Sequence, residues 1–446
     1  MLIGKNDEGS DSVDIRTTKD FQQDRIRQGQ NVGIINLGCA RNLVDSQEIL
    51  GRLKKKGHRI VDTRDAEIVV VNTCSFIAEA KQESIDTILD LVELKKQGRI
   101  KKVVVAGCLA QRYGRELAQE IKGIDAIIGV PTIAREGVVD QVQLTPAHFA
   151  YVKICESCYN QCRFCAIPKI KGKFRSRSIE SVVEEIRRLD ANGVKEINII
   201  GQDITAYGMD IYREKRLAVL LKEIVKVTKQ ISWIRLLYAF PAHVTDELIE
   251  VIAQEEKICK YIDIPLQHIS DPILKSMNRS ITTQQTKELI HKIRTRIPDA
   301  RLRTTFIVGL PGETEENFRE LLDFVKTEQF DKVGVFVYSH EEGTEAYTMS
   351  GQVAGTVKKK RLNTLMKVQR EISRSLQSRF VDRTLKVLID DTQDAGSYQY
   401  LGRTEYDAHD VDGTVFVHAS GPLKAGDFVK VKVTDALEYD LVGHAL

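Results

Sequence analysis

The sequence predicts an α/β protein in three parts: an amino-terminal parallel α/β domain, a partial (β/α)6 barrel and a small all-β barrel at the carboxyl end. Three observations carry that prediction. From Asn31 onward, apolar runs of four to seven residues alternate with longer helical patterns, the mark of parallel sheets. The first three of those units each close their strand on a cysteine: Cys39, Cys74 and Cys108. From Phe380 the pattern changes to short alternating runs separated by Gly and Asp turns, which suits a small closed barrel.

Bulk properties narrow the class. At 446 residues the chain exceeds a single core and suggests about three domains. Hydrophobic content of 42% and charge of 29% describe a soluble globular protein, and a net charge of +3 implies neither a nucleic-acid nor a membrane partner by itself. Residues 1–30 are polar and aperiodic, so they read as a mobile tail rather than a signal peptide. No run approaches the ~18 apolar residues of a membrane span, and a cytoplasmic location is expected. Eight cysteines in such a chain point to metal or catalysis rather than disulfides.

The first domain spans residues 31–135. Its strand candidates Val32–Cys39, Ile68–Cys74 and Val103–Cys108 are each followed by a helical pattern. Open α/β sheets bind ligands along the carboxyl edge of their strands, so the three thiols meet at one place. Each cysteine alone reads as a buried structural residue. Three in successive units, 35 and 34 residues apart, read as a metal site assembled by the fold.

The second domain spans residues 148–379. Strand candidates are Tyr151–Ile154, Glu196–Ile200, Trp233–Ala239, Tyr261–Ile264, Leu302–Val308 and Val333–Tyr338, with helical patterns between. The helix 178–192 has Ser178 as N-cap and Gly193 as its stop. Six such units fall short of the eight of a closed barrel, and their chemistry belongs at the carboxyl ends of the strands. Lys358 to Arg379 reads as a solvated connecting helix, and residues 380–446 form the terminal barrel.

The first strand of the second domain leads into Cys158-Tyr-Asn-Gln-Cys162-Arg-Phe-Cys165. Three thiolates so spaced can hold three corners of one cubane cluster and leave one iron free for a small molecule. A zinc site or three unrelated thiols is the alternative, although tetrahedral zinc favours paired knuckles. Cys155 reads as a small apolar residue at a strand end.

With Phe164 just before the third cysteine, this loop resembles the signature of the radical S-adenosylmethionine superfamily. After residue 30 the whole chain resembles the radical S-adenosylmethionine methylthiotransferase family, with a TRAM-type terminal barrel. It is most similar to the RimO-type branch, on Ser176-Arg-Ser, Gly201-Gln-Asp-Ile-Thr-Ala-Tyr-Gly-Met-Asp, Tyr261-Ile-Asp-Ile-Pro-Leu-Gln-His268 and Glu341-Glu-Gly-Thr. That resemblance implies methylthio transfer to the β-carbon of an aspartate in small-subunit ribosomal protein number twelve, free or in the ribosome. The alternative is a transfer-RNA adenosine methylthiotransferase. It also implies two [4Fe-4S] clusters, S-adenosylmethionine and an electron donor such as a flavodoxin or ferredoxin.

By the same resemblance, Cys158, Cys162 and Cys165 hold the radical cluster, and Cys39, Cys74 and Cys108 the auxiliary one. Phe164, Gln202, Asp203 and Gly309 are the cofactor-binding positions, with ordinary strand-end turns as the other reading of the last three. No catalytic residue is assigned beyond the cluster ligands. Ser157 stands where the family usually has glycine, and Thr305 replaces another.

Charge adds one expectation. From Phe380 to the end, six bases stand against twelve acids, a net of −6. An acidic barrel is the wrong sign for gripping RNA and suits a basic protein partner, with Asp407, Asp410 and Asp412 as candidate contacts.

Overall fold

The computed structural model describes residues 14–16, 29–137, 140–392 and 399–446. It divides into two compact units, one of Met1–Thr132 with Val139–Val142, the other of Ile133–Val138 with Gln143–Leu446.

The first unit is built on six strands: β1 (Asp14–Arg16), β2 (Asn31–Asn36), β3 (Arg59–Ile60), β4 (Ile68–Thr73), β5 (Lys102–Gly107) and β6 (Ala126–Ile128). They form one sheet in the order β1-β6-β5-β4-β2-β3, and every pairing is parallel. Helices Ala40–Lys55, Ala78–Lys96 and Cys108–Glu120 connect the central strands. Central β4 reads Ile-Val-Val-Val-Asn-Thr and every residue of it is buried, as a parallel strand covered on both faces requires. Each of its apolar side chains contributes about 1.5–3 kcal/mol on burial. Most of the expected tail lies outside the described residues, but Asp14–Arg16 corrects that expectation by forming an edge strand. Asp-Ile-Arg has a single apolar residue, too little to show a period in the sequence.

The second unit opens with β7 (Phe149–Lys153), followed by a small antiparallel pair, β8 (Cys155–Glu156) and β9 (Arg175–Ser176). Then come β10 (Glu196–Ile200), β11 (Trp233–Leu236), β12 (Ile258–Asp263), β13 (Arg301–Val308) and β14 (Lys332–Val337). The six long strands pair in parallel in the order β14-β13-β12-β11-β10-β7, a barrel left open between β14 and β7. Ser178 caps helix Ile179–Ala191 by accepting from the Ser181 amide, and Gly193 follows with φ +84°.

The helix expected as solvated, observed as Gly355–Gln377, is solvated on one face only. Arg361, Leu365, Gln369, Ser373 and Leu376 form a buried face, and the Gln369 amide donates to the Phe330 carbonyl at 2.9 Å. Polar residues at three of those five places hid the stripe.

The closed terminal barrel comprises β15 (Thr384–Thr392), β16 (Tyr400–Thr404), β17 (Val415–His418), β18 (Phe428–Ala436) and β19 (Leu441–Ala445), around Val387, Ile389, Val415, Val417, Val431 and Val433. It packs against the amino-terminal ends of the core strands. Phe428 meets Trp233 edge-on at 4.9 Å, and His409 lies 4.3 Å from Phe149.

This packing corrects the acidic-surface expectation. Asp407 pairs with Lys332 at 2.5 Å, Asp412 accepts from the Tyr261 hydroxyl at 2.7 Å, and Asp390 pairs with His148 and Arg403. Glu405 meets the Lys260 amide at 3.3 Å. Among the described barrel residues the exposed acids are Asp382, Asp391, Asp410, Asp427 and Asp435, against exposed Arg383, Lys386, Lys424 and Lys430. Much of the acid excess faces the core, not a partner. Asp394 lies outside the described residues.

Candidate functional site

The structure sorts the six cysteines into one group in each unit. In the first unit, Cys39 sits just before helix Ala40–Lys55, Cys74 follows β4 directly and Cys108 is the first residue of helix Cys108–Glu120. Strands β2, β4 and β5 are neighbours, so the three thiols share one stretch of the carboxyl edge. Gly38, with φ +101°, permits the approach: a Cβ there would lie 3.0 Å from Cys74 Cβ and 3.3 Å from its sulfur. Burial pushes the Cys74 thiol up, and nearby Cys39 adds to this. The amides of Phe76 and Ser75 and the charge of Arg41 oppose it. Amides and a cation aimed at a sulfur suit a thiolate ligand.

In the second unit, the loop of Cys158, Cys162 and Cys165 follows β7 and β8. Ser157 opens it at φ +66°, a left-handed conformation that glycine adopts most readily. Its hydroxyl donates to the Gly172 carbonyl at 2.5 Å. The Asn160 amide and side chain approach Cys158 Sγ at 3.4 and 3.5 Å, and the Cys165 amide donates to the Cys162 carbonyl at 3.0 Å. Burial pushes the Cys158 thiol up to about 11, with Asp203 and Cys162 adding to it and Asn160 opposing.

A chain of side chains encloses this loop. Arg279, buried, points Nη1 at Cys162 Sγ from 3.8 Å and stacks on Phe240 at 4.3 Å. Phe240 lies against His243. His243 Nδ1 is 2.8 Å from Asp203 Oδ2, which also accepts from Asn160 Nδ2 at 2.9 Å. One buried cation thus stands at Cys162 and one buried anion behind Cys158.

The other expected positions are placed as follows. Phe164 packs among Ile273, Met277, Leu310, Tyr338 and Ala346, anchoring the loop. Asp203 is buried, and its second oxygen accepts from the Thr205 amide and hydroxyl. Its carboxylate therefore orders the loop through protein partners. Gln202 donates to Glu156 at 3.1 Å, while its Oε1 is buried without a protein partner. Burial disfavours the Glu156 charge, but Lys153 and Lys171 outweigh it and hold the carboxyl far below the usual range. Gly309 has φ +78°, and a Cβ would strike the Lys358 side chain. Cys155 is fully buried, its thiol pushed well up by burial, and its sulfur fills the space beside Gly201. Cys259 is also buried, its thiol pushed up to about 12.

Sequence reasoning missed Asn160, Arg279, His243 and Asn42, polar residues whose role is visible only through partners far along the chain. Asn160 alone carried a local signal, lying between two of the cysteines. Among the described residues no three ligand-type side chains already converge as a ready cage. Both groups nevertheless fit a sulfur-ligated cluster, being soft donors on adjacent backbone with amide or cation support.

Comparison with known proteins agrees with this layout. Residues 31–129 match uncharacterized protein family UPF0004, residues 152–325 the radical SAM superfamily, and residues 381–446 the TRAM domain. A solved radical S-adenosylmethionine methyltransferase, TsrM from Kitasatospora setae, shares the fold at TM-score 0.50 and 17% identity, over 69% of this chain and 73% of that one. These features define a radical S-adenosylmethionine enzyme with an appended TRAM barrel.

The chain is 46% identical over 439 residues to the ribosomal protein uS12 methylthiotransferase RimO of Desulforamulus reducens, covering 93% of this chain and 99% of that one. It is 45% identical over 443 residues to that of Geobacter sulfurreducens, covering 94% and 99%. The chain belongs to the ribosomal protein uS12 methylthiotransferase RimO family.

Proposed function

We propose that this protein adds a methylthio group to the β-carbon of an aspartate in ribosomal protein uS12. The observation that carries the reading is the 46% identity over nearly the full length of a uS12 methylthiotransferase. The two separate three-thiol groups support it.

In this reading Cys158, Cys162 and Cys165 hold a [4Fe-4S] cluster that binds S-adenosylmethionine, and Cys39, Cys74 and Cys108 hold a second. When bound, these groups would supply the electron, the 5′-deoxyadenosyl radical and the sulfur, and a second S-adenosylmethionine would supply the methyl group. The chain's own residues bind and orient. Buried Gln202 Oε1 has no protein partner, and it would be a candidate acceptor for the cofactor's amino group once the site is occupied. Asp203 positions Asn160 and His243 rather than touching ligand. Gly309 shapes the turn after β13, which would border the adenine when the cofactor is bound, and Phe164 fixes the loop by packing.

In this reading the protein works in the cytoplasm with an electron donor such as a flavodoxin or ferredoxin. Among the described residues no helix is long and apolar enough to cross a membrane. The barrel surface has no basic excess, so tight RNA binding is not expected of it. The test is to incubate the reconstituted protein, S-adenosylmethionine and a reductant with uS12 and, separately, with transfer RNA. Mass spectrometry should find one methylthio group on a uS12 aspartate and none on the RNA. Modification of adenosine with uS12 untouched would replace this reading with the transfer-RNA one.

A further inference from the structure

Behind the three cysteines of the first unit lies a buried polar network. Its centre is Asn42, only 2% exposed, the third residue of helix Ala40–Lys55. The Asn42 side-chain amide donates to the Leu37 carbonyl at 2.9 Å and to the Thr73 carbonyl at 3.0 Å. Its Oδ1 lies 3.8 Å from Cys108 Sγ. Leu37 is two residues before Cys39, and Thr73 directly precedes Cys74. One amide group therefore touches all three cysteine-bearing connections, which belong to three different strands.

The backbone around it is shaped to allow this. A Cβ on Gly38 would come within 3.1 Å of Asn42 Nδ2 as well as against Cys74. Behind, Asn72 Nδ2 donates to the Asn42 carbonyl at 2.7 Å and to Ser46 Oγ at 2.9 Å, and Ser46 donates to Asn36. A Cβ on Gly107, just before Cys108, would lie 2.2 Å from Asn72 Oδ1.

Burying polar groups in a parallel-sheet edge is costly unless they are satisfied; both Asn42 side-chain atoms have partners, whereas Asn72 Oδ1 behind it has none, and a smaller apolar residue would serve if only packing were needed. Three connections from three strands have no covalent tie, and each adds conformational freedom that a bound group must remove. An amide that fixes two carbonyls and faces the third thiol removes much of that freedom beforehand.

We propose that Asn42 is the positioning residue that holds the connections bearing Cys39, Cys74 and Cys108 in place for cluster binding. It acts through hydrogen bonds from its amide to two of the connections and through its facing Cys108 on the third. This rests on the reading that those cysteines hold a cluster.

The decisive substitution is Asn42→Asp, which keeps the shape, removes both donors and sets a carboxylate opposite Cys108. Asn42→Ala removes shape and donors together. Both are made in a background with Cys158, Cys162 and Cys165 changed to Ala, so that only the first unit's iron is counted. Iron and sulfide per chain, the electron paramagnetic resonance spectrum of the reduced protein and the thermal transition are measured after anaerobic reconstitution. The background should hold about four irons. Asn42→Asp should keep a cooperative thermal transition yet lose at least half of the iron, with an altered spectrum in the remainder, and Asn42→Ala should fall at least as far. Full iron and an unchanged spectrum in folded Asn42→Asp would overturn the inference even if Asn42→Ala failed to fold. A background that holds no iron would overturn the cluster reading itself, and this inference with it.

Discussion

Nη1 of Arg403, on the terminal barrel, lies 2.9 Å from Oε2 of Glu196, the first residue of core strand β10, and Glu196 is fully buried. Glu196 also binds Arg235 at 2.8 Å, and Arg403 reaches Asp390 at 2.7 Å. Arg235 in turn donates to the Glu405 carbonyl at 2.6 Å. The barrel thus neutralises charges lodged at the amino-terminal end of the core.

Breaking such a buried pair by removing one partner costs about 3–5 kcal/mol, because the other charge is left in low dielectric. Arg403→Met should lower the unfolding free energy of the second unit by about that amount, read from urea midpoints. A chain ending at residue 379 should be insoluble or unfolded. A soluble, S-adenosylmethionine-cleaving truncation would show that the barrel is dispensable to the core.

The pH dependence of that substitution has a definite sign. Burial would raise Glu196 and Asp390, but Arg403 with Arg235 holds Glu196 below its ordinary value, and His148 with Arg403 does the same for Asp390. Groups with depressed folded values contribute stability above their unfolded values, and lose it as pH falls through the folded ones. The stability gap between native protein and Arg403→Met should therefore be full above about pH 4.5 and shrink below it. Urea unfolding from pH 7 down to about pH 3 checks this. A gap that widens toward acid would contradict it.

Ser157 pairs a left-handed backbone with a hydroxyl bond to Gly172. A non-glycine residue there costs about 1–2 kcal/mol, and the bond offsets about 1 kcal/mol. Ser157→Gly should be within about 1 kcal/mol of the native protein, whereas Ser157→Ala keeps the strain, loses the bond and should be the less stable of the two. Urea midpoints of the two variants decide this.

Arg279 places a buried positive charge 3.8 Å from Cys162 Sγ. A unit charge at ~5 Å with an effective dielectric of ~20 is worth about 3 kcal/mol, on the order of 100 mV for a one-electron couple. Arg279→Met should shift the second-unit cluster potential negative by roughly that much, while Arg279→Lys should retain most of the native value. A redox titration followed by paramagnetic resonance reads the shift.

Both cysteine groups were legible in the sequence, for different reasons. Cys158, Cys162 and Cys165 share one loop, so spacing alone marks them. Cys39, Cys74 and Cys108 are far apart in the chain, but each follows an apolar run, and the order of a parallel sheet brings such ends together. Strands β4, β7, β10 and β11 were legible to within a few residues because they are buried on both faces and read as largely apolar runs. What stayed hidden depends on partners distant in sequence. The barrel acids looked like a surface because nothing near Asp407 reveals Lys332, and nothing near Asp412 reveals the Tyr261 hydroxyl or the Arg303 guanidinium 3.6 Å away. The buried face of helix Gly355–Gln377 was masked by Arg361, Gln369 and Ser373, polar residues with partners or cover elsewhere in the second unit. Asn42 looked like an ordinary early-helix residue, since its carbonyl partners lie at the ends of two strands.

In the proposed function, two separate three-cysteine sites serve one methylthio transfer to uS12. The most direct test changes Cys39, Cys74 and Cys108 to Ala, reconstitutes the protein anaerobically and supplies S-adenosylmethionine, reductant and uS12. It should hold about four irons where the native protein holds about eight, form 5′-deoxyadenosine, and leave uS12 without a methylthio group. A variant that still methylthiolates uS12, or that loses all iron and all cleavage together, would contradict the account.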